Sequence, residues 1–131
     1  MNKRILLINS ITAYPVISRV LTQEGYRVEA VSDLESGLQR LKRQSYDIVI
    51  VRDIPGAESW QLCEKIRAIT TAPLIVINSN ATAETCARAI DAGADFFMRK
   101  PFGVLEMLAR VRYLLQRTSF FQPLPVGLYL R

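Results

Sequence analysis

Short apolar runs alternate along the chain with segments in which apolar residues recur three or four positions apart. The runs have the length of strands, and the periodic segments are typical of helices with one apolar face. Strands are predicted at residues 4–8, 27–31, 48–51, 74–77 and 96–98. The periodic positions predict five helices, through Val16, Ile17, Val20 and Leu21, then Leu34, Leu38 and Leu41, then Leu62, Ile66 and Ile69, then Cys86 and Ile90, then Leu108, Val111 and Leu115.

Residues that favour helix ends separate these segments. Gly25, Gly93 and residues 44–45 stand where helices end, while Asp33 and Asn80 stand where N-caps belong. The central runs are apolar on consecutive residues, which favours parallel strands covered by helices on both faces. The pattern therefore predicts an α/β fold, a flavodoxin-like doubly wound (βα)5 domain whose five-stranded parallel sheet has the order 2-1-3-4-5.

Composition narrows the class of protein. With 131 residues, 50% of them hydrophobic, the chain has enough material for one compact domain. The net charge of +5 permits association with nucleic acid or with an acidic partner but does not decide between them. Cys63 and Cys86 fall on apolar helical faces, which favours reduced thiols and a cytoplasmic location, and the first apolar run is too short for a signal sequence or a membrane span.

Several kinds of catalytic site are excluded by residue type. The chain has no histidine, so Ser-His and Cys-His nucleophiles and most zinc sites are absent. Residues 9–15 contain no glycine, and no glycine-rich phosphate loop follows any strand. In open parallel sheets, ligand sites lie outside the carboxyl ends of the strands. The polar residues at those ends are Asn9, Ser10, Arg52, Asp53, Asn78, Ser79 and Lys100, and they could equally be ordinary loop-edge residues.

Four stretches, in this order and spacing, resemble the receiver domain of bacterial response regulators of the OmpR/PhoB type. They are residues 46–51 (YDIVIV) leading into Pro55-Gly56, residues 62–67 (LCEKIR), residues 92–102 (AGADFFMRKPF) and residues 105–115 (LEMLARVRYLL). The resemblance extends from residue 3 to residue 117. It implies a switch domain of two-component signalling, with a metal-assisted phosphoacceptor aspartate at the carboxyl edge of the sheet.

The residues that would perform this chemistry are replaced. The acidic pair that holds Mg²⁺ in the family falls on Asn9 and Ser10, which supply no negative charge. The phosphoacceptor aspartate falls on Arg52, whose guanidinium stays protonated and has no acceptor lone pair. Asp53 is the rival acceptor, although strand alternation would direct it to the opposite face unless a bulge changes the register.

The switch residues implied by the resemblance are also altered. The Ser or Thr after the fourth strand falls on Asn78, and the aromatic switch position falls on Phe97, which has no hydroxyl. Lys100, which pairs with the phosphoryl group in the family, is retained. We expect Asp53 or a bound anion to satisfy Lys100, the alternative being that Lys100 extends into water.

The resemblance further implies a homodimer through helix 4, strand 5 and helix 5. Glu106, Arg110, Asp95 and Arg117 match residues that form salt bridges between subunits in the family, but the partners of Glu106 and Arg110 fall on Cys86 and Phe96. The predicted dimer face consists of Cys86, Arg88, Asp95, Phe96, Glu106, Arg110 and Arg117. Because exposed ion pairs contribute only about 0–1 kcal/mol each, we expect a more hydrophobic dimer, the alternative being a monomer.

The helical pattern is predicted to stop at Thr118. Residues 1–118 would form the receiver-like domain, and residues 119–131 a linker to a following domain, which the resemblance implies is a winged helix that binds DNA. The prediction is a non-enzymatic receiver, without metal or cofactor, that works independently of phosphorylation in a transcription regulator. A histidine kinase or another protein is a possible partner. The alternatives are a receiver phosphorylated on Asp53, and a small-anion sensor using Arg52 and Lys100.

Overall fold

The computed structural model of the chain describes residues 2–9, 16–52, 54, 58–78, 81–99 and 103–120, with the side chains of residues 118–120 excepted. Five strands and five helices alternate through this part of the chain. In order they are β1 (Arg4–Asn9), α1 (Val16–Gln23), β2 (Arg27–Val31), α2 (Leu34–Arg43), β3 (Ile48–Arg52), α3 (Ser59–Arg67), β4 (Leu74–Ile77), α4 (Ala83–Asp91), β5 (Phe96–Met98) and α5 (Val104–Phe120).

The strands form one parallel sheet in the order β2-β1-β3-β4-β5, which confirms the predicted fold class. β1 and β3 each continue one residue beyond the predicted apolar runs, to Asn9 and Arg52. These two residues are paired in register, so the ladder between β1 and β3 ends on polar residues. Two candidate site residues are therefore the last residues of strands and not loop residues.

Helices cover both faces of the sheet and create two cores. Ile48 and Ile50 of β3 belong to the core beneath α1 and α5, whereas Val49 and Val51 belong to the core beneath α2, α3 and α4. Because successive side chains of a strand point to opposite faces, an uninterrupted apolar run supplies both cores. Burial of each such side chain stabilises the fold by about 1.5–3 kcal/mol.

Of the two predicted N-cap residues, one is confirmed and one is wrong. Asp33 caps α2 as predicted, because its carboxylate accepts a hydrogen bond from the backbone N–H of Ser36 at 2.7 Å. The prediction of Asn80 as the cap of α4 is wrong. The helix begins at Ala83, and the hydroxyl of Thr82 directly before it accepts from the N–H of Thr85 at 3.1 Å.

The predicted apolar face of α4 is only partly buried. Ala89 is the buried residue of this helix, Cys86 is partly buried, and Ile90 is 48% exposed. The predicted spacing of Cys86 and Ile90 therefore does not identify the residue that packs on the sheet. The small side chain of Ala89 allows α4 to lie close to the core.

The last helix is longer than predicted, because α5 continues to Phe120 instead of ending at Thr118. Thr, Ser and Phe are moderate helix formers, and no proline follows before Pro123, so nothing in these residues breaks the helix. The predicted linker after Phe120 lies outside the described residues. Within the described part, no helix combines the length and apolarity needed to cross a bilayer.

Candidate functional site at the carboxyl edge of the sheet

The predicted site residues of the first and third strands lie side by side. The Cα atoms of Asn9 and Arg52 are register partners across β1 and β3, and Arg52 is in turn the register partner of Ile77 in β4. Asn9 and Arg52 continue the alternation of residues that face α1 and α5. Two positions far apart in sequence thus meet at the tip of the sheet, as predicted.

Asn9 is the one polar residue buried within a described strand, with only 8% of its surface exposed. It brings an amide to this edge, and Arg52 brings a positive charge. Ser10, the second member of the predicted pair, lies outside the described residues. Over the ranges that the structure covers, no three His, Cys, Asp or Glu side chains are grouped so that they could hold a metal ion.

Regular strand geometry ends at Arg52. Ile54 packs against the core beneath α2 and α3, although in a continued strand it would share the face of Arg52. The alternation of side chains along β3 therefore does not predict which face of the sheet the residues after Arg52 occupy. Asp53 itself lies outside the described residues, so its role as a rival acceptor stays a prediction.

Asn78, at the position of the switch hydroxyl, is held by α3. Its side-chain Nδ2 donates a hydrogen bond to Oγ of Ser59 at 3.0 Å, and its backbone N–H donates to the carbonyl of Met98 at 3.1 Å. Ser59 is only 2% exposed. Sequence reasoning missed Ser59, because a serine in the first turn of a helix gives no signal that distinguishes a buried partner from an exposed one.

Phe97, at the aromatic switch position, is partly buried. It is the register partner of Val76 and packs against the core beneath α2, α3 and α4. Without a hydroxyl it contributes only apolar contact. Lys100 lies outside the described residues, so the expectation that an anion satisfies it stays a prediction.

Most residues of the predicted dimer face have partners within the chain. Asp95 accepts hydrogen bonds at Oδ2 from Arg67 at 3.0 Å and from the N–H of Leu74 at 2.8 Å, and at Oδ1 from Arg117 at 3.2 Å. Arg67 also donates to the carbonyl of Gly93 through Nε at 3.0 Å and Nη2 at 2.7 Å. Asp95 is thus a structural residue of the β5 edge as well as a candidate contact.

Further along α5, Glu106 and Arg110 form a salt bridge at 3.1 Å, one helical turn apart. The Arg110 guanidinium also lies over the ring of Phe96, 4.5 Å from its centroid, and Phe96 meets Tyr113 edge-on at 6.1 Å. In the family, an acidic residue of the other subunit would pair with Arg110, and its position falls on Phe96. In this chain, Arg110 and Phe96 instead form a cation–aromatic contact with each other.

The two predicted residues on α4 differ in their surroundings. The Arg88 guanidinium lies 4.4 Å from the centroid of the Trp60 ring on α3. Cys86 is a free, partly buried thiol. The second cysteine, Cys63, is fully buried, and this burial raises the pKa of its thiol to about 11. A buried protonated thiol is a packing residue, so Cys63 contributes no nucleophile.

Comparison with known proteins identifies the family that this architecture resembles. Residues 9–112 match the family described as response regulator receiver domain. The response regulator ArlR of Staphylococcus epidermidis is 35% identical over 98 residues, which cover 74% of this chain and 45% of ArlR. The transcriptional regulatory protein HprR of Escherichia coli is 34% identical over 98 residues, covering 73% of this chain and 44% of HprR. The chain thus spans less than half the length of these relatives.

Solved structures agree with the fold. A CheY-like response regulator receiver domain protein from Methanospirillum hungatei superposes with a TM-score of 0.84 at 24% identity, over 91% of this chain and 98% of that one. HP1043, an orphan response regulator of H. pylori, superposes with a TM-score of 0.76 at 25% identity, over 86% of this chain and 96% of that one.

Proposed function

Because the chain belongs to the response-regulator receiver family of two-component signalling, we propose that it acts without aspartyl phosphorylation, as an interaction and dimerisation module of a transcription regulator. The observation that carries the proposal is the pairing of Asn9 with Arg52 at the tips of β1 and β3. These are the positions at which the family gathers magnesium and accepts a phosphoryl group. An amide and a guanidinium occupy them in this chain.

Electrostatics argue against a metal at this edge. Two like unit charges about 4 Å apart repel each other by about 4 kcal/mol at an effective dielectric constant of about 20, and magnesium carries two charges. Arg52 therefore opposes a cation, while Asn9 offers only a neutral oxygen in compensation. The guanidinium also has no lone pair with which to attack phosphorus. Both requirements for acyl-phosphate formation are missing at the family position.

The switch residues support a state that needs no phosphoryl group. In the family, a hydroxyl after the fourth strand responds to phosphorylation. In this chain, Asn78 occupies that position and is already bonded to the buried Ser59. Phe97 has no hydroxyl to exchange partners. The conformation of this edge would then be set by protein partners, which shift an equilibrium through their different affinities for its two states.

Phosphorylation can be tested with acetyl phosphate or beryllofluoride in the presence of Mg²⁺. We expect no mass shift by intact mass spectrometry and no magnesium-dependent rise in melting temperature. The matched variant Asn9→Asp/Ser10→Asp/Arg52→Asp restores the family residues and is expected to regain the adduct. An adduct on the unmodified chain that Asp53→Asn abolishes would establish the phosphorylatable alternative. Stabilisation by anions without metal would instead favour a sensor built on Arg52 and Lys100.

The dimerisation part of the proposal draws on exposed apolar residues near β5. On α5, Leu105, Ala109 and Tyr113 are spaced by four residues, so they line one face of the helix, and all three are exposed. On α4, Ala87 and Ile90 are exposed as well. Leu105 is 78% exposed, and a group of exposed apolar side chains is typical of an interaction surface.

Most charged residues of the same face have ion-pair partners within the chain. Glu106 and Arg110 form a salt bridge with each other, and Asp95 is shared by Arg67 and Arg117. Pairs of this kind contribute little to association on their own, and they reduce the net charge that an apolar contact would have to bury. We therefore propose a homodimer held mainly by apolar contact.

Sedimentation equilibrium at micromolar concentration tests the dimer. Ile90→Glu is expected to shift the chain to monomer, because it places a charge in the apolar contact. Val16→Glu is the matched control, since Val16 is 45% exposed and lies on α1, which contacts β2, at the opposite edge of the sheet from β5. A monomeric unmodified chain, or equal effects of the two substitutions, would contradict the proposal.

Partners of the whole regulator are also part of the proposal. The relatives ArlR and HprR are named as a response regulator and a transcriptional regulatory protein, and more than half of each lies outside the matched region. We propose that DNA is bound by a following domain, the winged helix that the family resemblance implies, and not by the receiver domain. A histidine kinase is a candidate partner for the receiver fold itself.

A further inference from the structure

The outer edge of β2 carries backbone groups that face away from the sheet. β2 is the first strand in the sheet order, and no described strand lies on its outer side. The backbone N–H of Arg27 donates to the carbonyl of Lys3 at 2.9 Å, so Arg27 and every second residue after it face β1. The N–H and C=O groups of Val28 and Ala30, which alternate with them, are therefore on the outer edge.

An edge of this kind is a template for another strand unless proline, a bulge or charge protects it. β2 contains no proline, and its five residues pair with β1 in unbroken register. Ala30 is exposed, and the exposed charge of the strand is Arg27. A positive charge repels a second copy of this edge but attracts an acidic strand.

Arginines gather at the amino-terminal end of this edge. Arg40 of α2 pairs with Glu29 of β2 at 2.7 Å, which fixes the helix beside the strand. α2 runs opposite to the parallel strands, because it leads from the carboxyl end of β2 to the amino end of β3. Arg43 lies about 5 Å beyond Arg40 along the helix, and Arg27 lies about 7 Å from Glu29 along the strand, in the same direction. Both arginines therefore lie on the same side of the Arg40–Glu29 pair.

A second set of contacts holds the same residues together. The Cα atoms of Arg4 and Arg27 are register partners across β1 and β2. Nη1 of Arg4 donates to Oε1 of Gln44 at 2.6 Å, and Nε2 of Gln44 donates to Glu29 at 3.0 Å. Gln44 directly follows Arg43 in the chain. We call this group the basic edge; it consists of Arg4, Arg27, Arg40 and Arg43.

The basic edge has more positive charge than the chain neutralises. Its four arginines surround one carboxylate, that of Glu29. Arg27 and Arg43 are exposed and form no ion pair with any residue that the structure describes. Asp47 accepts a hydrogen bond from the backbone N–H of Arg4 at 2.7 Å, but it precedes β3, two strands away from β2. Two guanidinium groups therefore remain for an acidic partner.

We propose that the β2 edge binds an extended acidic segment of another protein, which adds to the sheet as a strand and places carboxylates on the basic edge. Main-chain hydrogen bonds to Val28 and Ala30 supply affinity, and the arginines supply specificity. Because side chains alternate along a strand, the segment would be acidic on the α2 face and apolar on the face of Val28 and Ala30. β2 and β5 are opposite edges of the sheet, so this binding is independent of the proposed dimer and of phosphorylation.

The probe is a peptide of alternating glutamate and valine, titrated into the full chain without Mg²⁺ and followed by ¹H–¹⁵N correlation spectra. We expect saturable shifts of the amides of Val28 and Ala30, and slower hydrogen exchange of both, because their outward N–H groups become bonded. A peptide of alternating lysine and valine should not bind. No saturation by about 5 mM acidic peptide, or shifts without slower exchange, would overturn the proposal.

The double variant Arg27→Gln/Arg43→Gln tests the charge and is expected to weaken peptide binding at least about tenfold. Lys65→Gln/Arg99→Gln is the matched control, because it removes the same charge from exposed positions on α3 and after β5, and its affinity should remain within about twofold of the unmodified chain. Equal losses in the two double variants would contradict the assigned surface. A short DNA duplex that binds more tightly than the peptide, and that Arg27→Gln/Arg43→Gln releases, would show a nucleic-acid surface instead.

Ala30→Pro separates strand addition from charge attraction. Proline removes the outward N–H of Ala30, which β1 does not use, and edge strands tolerate proline at such positions. We expect an unchanged urea midpoint and loss of peptide binding. Full binding by this variant in its folded state would refute strand addition. If the variant does not fold, the hydrogen exchange of the Val28 amide in the unmodified chain decides the question.

Discussion

Arg67 joins three segments of the chain, and its replacement by alanine is expected to destabilise the fold more than any exposed arginine. Its guanidinium donates to the carbonyl of Ala72 at 2.5 Å, to the carbonyl of Gly93 at 2.7 Å and to the carboxylate of Asp95 at 3.0 Å. These acceptors lie before β4, after α4 and before β5. Arg67→Ala leaves all of them without this donor.

The magnitude follows from the number of contacts and their exposure. A hydrogen bond to a charged group contributes about 1.5–3 kcal/mol, and a truncated donor also leaves its acceptors unsatisfied. The Arg67 side chain is 23% exposed, so water compensates part of the loss. We expect Arg67→Ala to lower the free energy of unfolding by about 2–4 kcal/mol. Arg67→Lys should recover less than half of this, because a point ammonium cannot reach three acceptors at once.

Urea unfolding monitored by circular dichroism measures this effect as a lower midpoint at unchanged m-value. Arg110→Ala is the control, because Arg110 has an exposed salt bridge with Glu106 and a cation–aromatic contact, worth together about 1–1.5 kcal/mol. If Arg67→Ala cost no more than Arg110→Ala, the assignment of Arg67 as the link between these segments would be refuted.

Two further predictions concern titratable groups. The hydrogen bond donated by Tyr46, together with those from Gln44 and Arg40, holds the pKa of Glu29 below its ordinary value. Ionised Glu29 therefore stabilises the fold at pH values above its unfolded-state pKa. This contribution to the free energy of unfolding is lost as the pH falls through the lower folded-state pKa. Tyr46→Phe should therefore flatten the pH dependence of the unfolding free energy between about pH 5 and 3, and an unchanged slope would contradict this. Burial raises the pKa of the Cys63 thiol to about 11, so Ellman's reagent at pH 8 should titrate one thiol in the native chain and two only after unfolding; equal rates for both thiols would refute it.

The fold was largely predictable because hydrophobic periodicity is a local property. Each strand of the sheet is confirmed where an apolar run predicted it, and the cap at Asp33 is confirmed by its hydrogen bond to Ser36. The errors concern element ends and the packed face of a small helix. Thr82 and Asn80 are both suitable caps by chemistry, and only the position at which the backbone enters α4 decides between them.

The candidate site was predictable to the extent that strand ends are. Alternating strands and helices with parallel pairing bring the ends of β1 and β3 to the same edge, so Asn9 and Arg52 could be expected to meet. The bond from Asn78 to Ser59 could not be expected, because it depends on how α3 approaches the sheet. The intrachain partners of Asp95 were likewise missed, since they come from segments 22 and 28 residues away.

The order of apolar and polar residues, taken alone, determined the layered α/β architecture, because burial of each strand and helix face requires a period that is visible in the chain itself. It also determined that the residues at the strand tips are an amide and a guanidinium, since residue type is independent of folding. The tertiary structure decided which side chains share a site: that Ser59 holds Asn78, and that Arg67 and Arg117 share Asp95. These contacts join elements far apart in sequence, and their geometry exists only once the helices have packed on the sheet.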